Sequence, residues 1–193
     1  VNFAFVGIAL FSIKVFFDRE AKVGIENRVN TLGHALQGAI DIAGDSSDLV
    51  RLVDMVGAER DVNFIVVAIE TEGLRKIIAS TEKHIIGKTL EELRRKGMHL
   101  DAVSDIEEVF NERVKTFHLH GASEADFALP VTFAGGGMGG VRPGVIAVVL
   151  NAQPYFMGAN RIFANIVFLT VISVVFALVA SALSLQKNIF QPL

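Results

Sequence analysis

IFANIVFLTVISVVFALVASALSL, residues 162–185, contains no charged side chain. Its polar members, among them Asn165, Ser173 and Ser181, are of the kind that bond within a helix or across one. As a helix the run is roughly 36 Å long at about 1.5 Å of rise per residue. The hydrocarbon core of a bilayer is about 30 Å thick, so such a helix spans it with some tilt. A buried helix in a large soluble core is the competing reading, but this run is apolar on every face. The stretch predicts a transmembrane helix over residues 161–186. The preceding residues must then lie on one side of that membrane or cross it again.

The 193-residue chain has apolar ends and a charged middle, about residues 18–161, of one domain's size. A formal net charge of -3 makes no electrostatic case for nucleic acid. With no cysteine there is neither a disulfide framework nor a thiolate metal site. The chain starts at Val1 rather than Met and stops at Leu193, just past the apolar run, which leads us to expect a longer parent protein.

VNFAFVGIALFSIKVFF, residues 1–17, is the second membrane candidate. It is short, and Lys14 lies near one end, where its stem can sit in lipid while the amine reaches the interface. A signal-peptide core is the competing reading, but no small-residue cleavage site follows. We therefore expect a transmembrane helix. Beyond it Ile25, Val29, Leu32, Leu36, Ala39 and Ala43 form a heptad-like stripe. A helical stalk over residues 18–43 follows, its stripe packing on its own domain or on the same helix of a second copy. The stripe alone does not choose.

After Gly44 and Asp45 break the stalk, residues 48–56 read as a short helix. Residues 62–69 (VNFIVVAI) are mostly apolar and β-branched, as in a strand covered on both faces. Glu70 to Gly73 supplies turn chemistry, and residues 74–80 return as the second arm of a hairpin. A short helix over 89–96, closed by Gly97, and another over 101–111 come next. Strands follow at 114–120, 127–133 and 144–150; Pro130 marks the middle one as an edge or a bulge. The predicted class is α+β: a five-stranded antiparallel sheet backed by a long N-terminal helix and flanked by two transmembrane helices.

DVNFIVVAIETEGLRKIIAS (61–80), then IIGKTLEEL (85–93) and FALPVTFAGGGMGGVRPGVIAVVLN (127–151), resemble the core of Cache sensor domains. These are the PAS-like extracytoplasmic modules of bacterial receptors. One unit's worth of sequence over 44–160 resembles the single form, and NIFQPL (188–193) resembles the start of a HAMP signal-relay module. The resemblance implies a domain outside the inner membrane of a bacterium, periplasmic or extracellular, held between two spans. It also implies a ligand pocket lined by residues 84–99 and 113–120. His84, His99, Arg113, Lys115, His118 and His120 are then candidate ligand contacts, and the two cations suit a carboxylate.

Other motifs fail their context. Gly135, Gly137 and Gly140 fit the dinucleotide-binding spacing, but Pro143 and a strand follow where a helix is required. Gly87-Lys88-Thr89 ends like a phosphate loop, yet the first required glycine falls on Glu82. His118 and His120, two apart on a strand, share one face of the sheet. That spacing allows a shared metal ion, with Asp126 or Glu124 as a further ligand. Solvated histidines on an edge strand are the plainer reading.

No catalytic motif is legible and no cofactor is expected. The expected function is that of a transmembrane receptor, homodimeric through the stalk, embedded in lipid and sensing a small molecule. Its output, a histidine kinase or nucleotide cyclase for example, would follow residue 193. The alternative is an accessory subunit that anchors a docking domain in a larger membrane complex.

Overall fold

The computed structural model of the chain describes residues 3–42, 46–133 and 141–190, with side chains over 5–40, 47–133 and 141–186. In chain order the elements are α1 (Phe3–Ile42), α2 (Ser46–Gly57), β1 (Val62–Thr71), β2 (Leu74–Ser80), a single 3₁₀ turn (Lys83–Ile85), α3 (Leu90–Arg95), α4 (Leu100–Glu112), β3 (Thr116–His120), β4 (Glu124–Phe133), β5 (Arg142–Asn151) and α5 (Gln153–Phe190). The chain divides into two compact units, Gly24–Pro154 and the pair Val1–Val23 with Tyr155–Leu193. The break expected at Gly44 and Asp45 and the glycine loop of Gly135, Gly137 and Gly140 lie outside the described residues.

In the first unit the strands form one antiparallel sheet in the order β2-β1-β5-β4-β3. The β1–β2 turn is Glu72-Gly73, both with positive φ (54° and 76°), the two-residue hairpin whose twist matches its strands. Thr89 and Glu92 cap α3 reciprocally, and Gly97 (φ 65°) follows that helix in the left-handed conformation. Pro130 pairs with Val145 of β5 in a stretch of β4 that β3 no longer reaches, since the last β3 pair is Thr116 with Ala128. It therefore lies on a locally open edge, where a missing N–H costs no ladder bond. Gly144 lets Phe133 cross β5: a Cβ there would lie 2.4 Å from the Phe133 ring and 3.0 Å from the Ala68 carbonyl oxygen.

The sheet is apolar on both faces. Phe64, Val66, Ala68, Val145, Ala147 and Val149 join Leu90, Leu93, Val103, Ile106, Val109 and Phe110 of α3 and α4 in one buried cluster. The alternate residues Ile65, Val67, Ile146 and Val148 are buried too and point the other way. On that side Gly33 of α1 brings the helix close to β4; a Cβ on it would meet the Leu129 side chain at 3.1 Å. Ile25, Val29, Leu32, Leu36 and Ile40 of α1 are buried. Arg28 fixes this half of α1 to the start of β1 by donating to both Asp61 carboxylate oxygens (2.8 and 3.1 Å) and pairing with Glu59.

The stripe therefore packs within its own chain. It continues from Leu36 to Ile40 rather than to Ala39, which is only partly buried, and Ala43 lies outside the described residues. A helix of 3.6 residues per turn drifts off a strict heptad, and the four-residue steps from Leu32 to Ile40 follow the sheet. The same residues are not available as a seam to a second copy.

Among the described residues one helix, over Gln153–Gln186, is long and apolar enough to cross a membrane. Its large side chains, Phe168, Leu169, Phe176 and Leu183 among them, are exposed. The hydroxyls of Thr170, Ser173 and Ser181 donate to carbonyls four residues back, so they add no unpaired donor to an apolar surface. Of the two expected spans, one corresponds to a helix of sufficient length and apolarity and the other does not. The apolar part of α1, residues 3–17, rises roughly 22 Å before Asp18, less than a hydrocarbon core. Lys14 there pairs with Asp18. The helix expected over residues 161–186 starts earlier than that: α5 begins at Gln153, with one residue between it and the end of β5.

Because the α1 stripe is core, Leu36→Ala is expected to lower unfolding stability by about 2–5 kcal/mol. The exposed neighbouring change Gln37→Ala is expected to stay within about 0.5 kcal/mol. Denaturant unfolding of the two variants checks this.

Candidate functional site

The α4 face of the sheet carries the chain's histidine–carboxylate pairs. Period-two alternation puts His118 and His120 of β3 on that face, opposite Asp126 and Glu124 of β4. Helix α4 crosses the same region and presents Asp105. The His118 Nδ1 lies 3.1 Å from Asp105 Oδ1, and the His120 Nε2 lies 3.1 Å from Asp126 Oδ2. In each pair the imidazole is about half exposed and the carboxylate is buried. Asp105 Oδ2 and Asp126 Oδ1 are buried without a hydrogen-bond partner.

Burial holds both carboxyl groups above the usual range. For Asp105 it outweighs the pull of His118. For Asp126 it outweighs the pull of His120, and repulsion from Glu124, Asp105 and Asp101 adds to it, so that the group titrates at about 6.

A second arrangement adjoins the first. His99, the residue before α4, has left-handed backbone (φ 48°, ψ 45°), a conformation that costs a non-glycine residue free energy. Its ring stacks on Phe64 with centroids 4.3 Å apart and planes at 6°, and its Nε2 lies 3.1 Å from Glu82 Oε2. His84, exposed in the 3₁₀ turn, approaches the same Glu82 oxygen at 3.5 Å. Between these groups and the His120–Asp126 pair runs a cleft of about 250 Å³, walled by Asn63, Phe64, Glu82, His99, Asp101 and Asp126 together with Glu124 and Val149. The Asn63 amide donates to Glu124 at 3.3 Å.

Of the histidines His99 alone lines the cleft; His120 is joined to it through Asp126 and His84 through Glu82, while His118 pairs with Asp105, which is not part of its wall. Arg113 does not line it: that residue closes the C-terminus of α4 with left-handed backbone (φ 59°) and is exposed. Lys115 is also elsewhere, donating to Asn30 of α1 at 3.4 Å and edging a groove of about 540 Å³ between α1 and β3–β4. Neither cation expected to hold a carboxylate is therefore in the cleft. The metal reading grouped His118, His120 and Asp126. His118 turns to Asp105 instead, and among the described residues no group of three or more His, Asp or Glu is placed to hold a metal ion. Asp105, Glu82, Asp101 and Phe64, none of them candidates in the sequence, complete the site.

No protein-family model matches this chain, and no curated protein matches it either.

The raised Asp126 titration has a definite sign. Its folded value lies above its unfolded one, so protonated Asp126 favours the fold at low pH, and that contribution is lost as pH rises from about 3.8 through about 6. Asp126→Asn removes the ionisation. Relative to the parent, the variant is expected to gain roughly 1–3 kcal/mol between pH 4 and pH 7.5. Thermal unfolding of both proteins across that range provides the measurement, and a pH-independent difference would contradict it.

Proposed function

We propose that the chain is the sensory part of a bacterial transmembrane receptor, with a single Cache-like domain outside the inner membrane. In this reading the domain binds a small molecule in the α4 cleft. The conformation with higher affinity gains population, and the change passes through α5 to a cytoplasmic output module. The first apolar segment, residues 1–17, serves as the second membrane anchor, its shortness offset by thinning of the bilayer or by Lys14 reaching the interface. A second copy, where present, docks on the outward face of α1, since the inward stripe is core.

The observation that carries the reading is the junction between β5 and α5. β5 is paired with β4 along its length and with β1 from Gly144 to Leu150; it ends at Asn151, and Gln153 already begins the helix. The residue between them, Ala152, is fully buried and its N–H donates to Ser123 (2.9 Å). The Asn151 N–H donates to Asp61 (2.8 Å), while its side-chain oxygen accepts from the Gln153 N–H (3.0 Å) as a helix cap. A movement of β5, whose Val149 lines the cleft, would reach the first residue of α5 across one buried residue.

A chimera of this chain with the cytoplasmic half of a histidine kinase tests the transmission. Two glycines inserted between Ala152 and Gln153 are expected to change basal kinase output severalfold; unchanged output with normal membrane insertion counts against the reading. The cysteine-free sequence makes the placement testable as well. Glu72→Cys, in the exposed β1–β2 turn, is expected to react with a membrane-impermeant maleimide in spheroplasts. Reaction only after lysis would put the domain on the wrong side.

A further inference from the structure

Asp105 of α4 and Asp126 of β4 are buried where the helix meets the β3–β4 end of the sheet. We propose that this seat is a proton-controlled latch, in which the first turns of α4 are held down while the two carboxyls are protonated and released when they ionise. The latch stands on the geometry of the first unit alone. That it feeds an output through α5 rests on the sensory reading.

Each carboxyl is held at one oxygen only. Asp105 Oδ1 lies 3.1 Å from His118 Nδ1 across the layer, and Asp126 Oδ2 lies 3.1 Å from His120 Nε2 across the strands. The other oxygens, Asp105 Oδ2 and Asp126 Oδ1, are buried without a hydrogen-bond partner. An ionised carboxylate so placed gives up water at both oxygens and recovers a bond at one, whereas the neutral acid gives up far less. Neighbouring groups add to this. Facing Asp126 are His120 of β3, Glu124 of β4, and Asp101 and Asp105 of α4. Facing Asp105 are His118 and His120 of β3 and Glu108 of its own helix. Glu82 and His99 stand in the adjoining cleft wall, β1 and β5 contribute Asn63 and Val149, which do not titrate, and no lysine or arginine lines that cleft. Ionisation therefore sets carboxylates against one another, and two half-exposed imidazoles offset only part of the repulsion.

The two halves of α4 differ in how they are held. Ile106, Val109 and Phe110 sit in the apolar cluster, and Arg75 covers the Phe110 ring at 4.9 Å. The first turns carry Asp101 and Asp105 and are entered through His99, whose left-handed backbone costs free energy that release recovers. Release thus starts at the N-terminal end, over the cleft that Val149 of β5 also lines. No group of three or more His, Asp or Glu among the described residues is placed to hold a metal ion, so the proton is the cation to which these pairs answer.

Hydrogen exchange of the full chain in nanodiscs at pH 4.5 and 7.5, corrected for the intrinsic pH dependence of amide exchange, tests the latch. Asp126 titrates at about 6 in the fold against 3.8 in water, so closure is favoured at low pH and that preference is lost as pH rises through about 6. The shift limits the effect to roughly a hundredfold. Protection of residues 103–107 is expected to fall about tenfold between the two pH values, and that of residues 25–36 of α1 to fall less. Asp126→Asn is expected to keep residues 103–107 protected at both. If that variant does not fold, Asp105→Asn serves, with the exposed change Glu112→Gln as the variant that retains the parent's response. Equal changes in α4 and α1, or a parent-like response in the Asp variants, overturn the latch. A step of external pH applied to the kinase chimera in spheroplasts separates the two readings. Release of α4 with unchanged output supports the latch and counts against the receptor, and output that follows the step equally in Asp126→Asn overturns the latch as its sensor.

Discussion

A sheet that is apolar on both faces cannot stand in water uncovered, and that constraint shapes the first unit of the chain. β1 over residues 64–68 and β5 over residues 144–150 bury every residue, so both faces need a helical layer. One is α3 with α4, the other the inner half of α1. Burial of a fully covered Leu or Ile side chain is worth about 1.5–3 kcal/mol, and α1 contributes several. The cleft exists because α4 covers its side incompletely. Near the ends of β3 and β4 the apolar cluster gives way to Asp105, Asp126, His118 and His120.

Much of this was legible in the chain. The dense β-branched runs at 62–69 and 144–150 read as strands because few other structures accommodate them. Glu72-Gly73 read as a turn because its glycine tolerates positive φ. The α1 stripe was visible from its spacing, although spacing cannot say which surface a stripe meets. The α5 start was hidden: Gln153, Pro154 and Gly158 look like a loop, whereas proline in a first helical turn lacks only an N–H that would have had no partner.

The site was legible by half. Period-two alternation put His118 and His120 on one face, and that face is the one α4 covers. What alternation cannot report is the partner across the layer. Asp105 lies within an amphipathic helix, where a single carboxylate reads as solvent-facing; here it is buried against His118. Arg113 failed as a candidate for a backbone reason. It ends α4 in a left-handed turn, a position set by the helix terminus and not by any ligand.

The hydroxyls along α5 have a mechanical consequence. Thr170, Ser173 and Ser181 each donate to their own helix's backbone, so they hold no bond that a change of azimuth would break. A neighbour meeting the helix on these side chains would do so through shape and area alone, so none of the three fixes which side of the helix that neighbour must take.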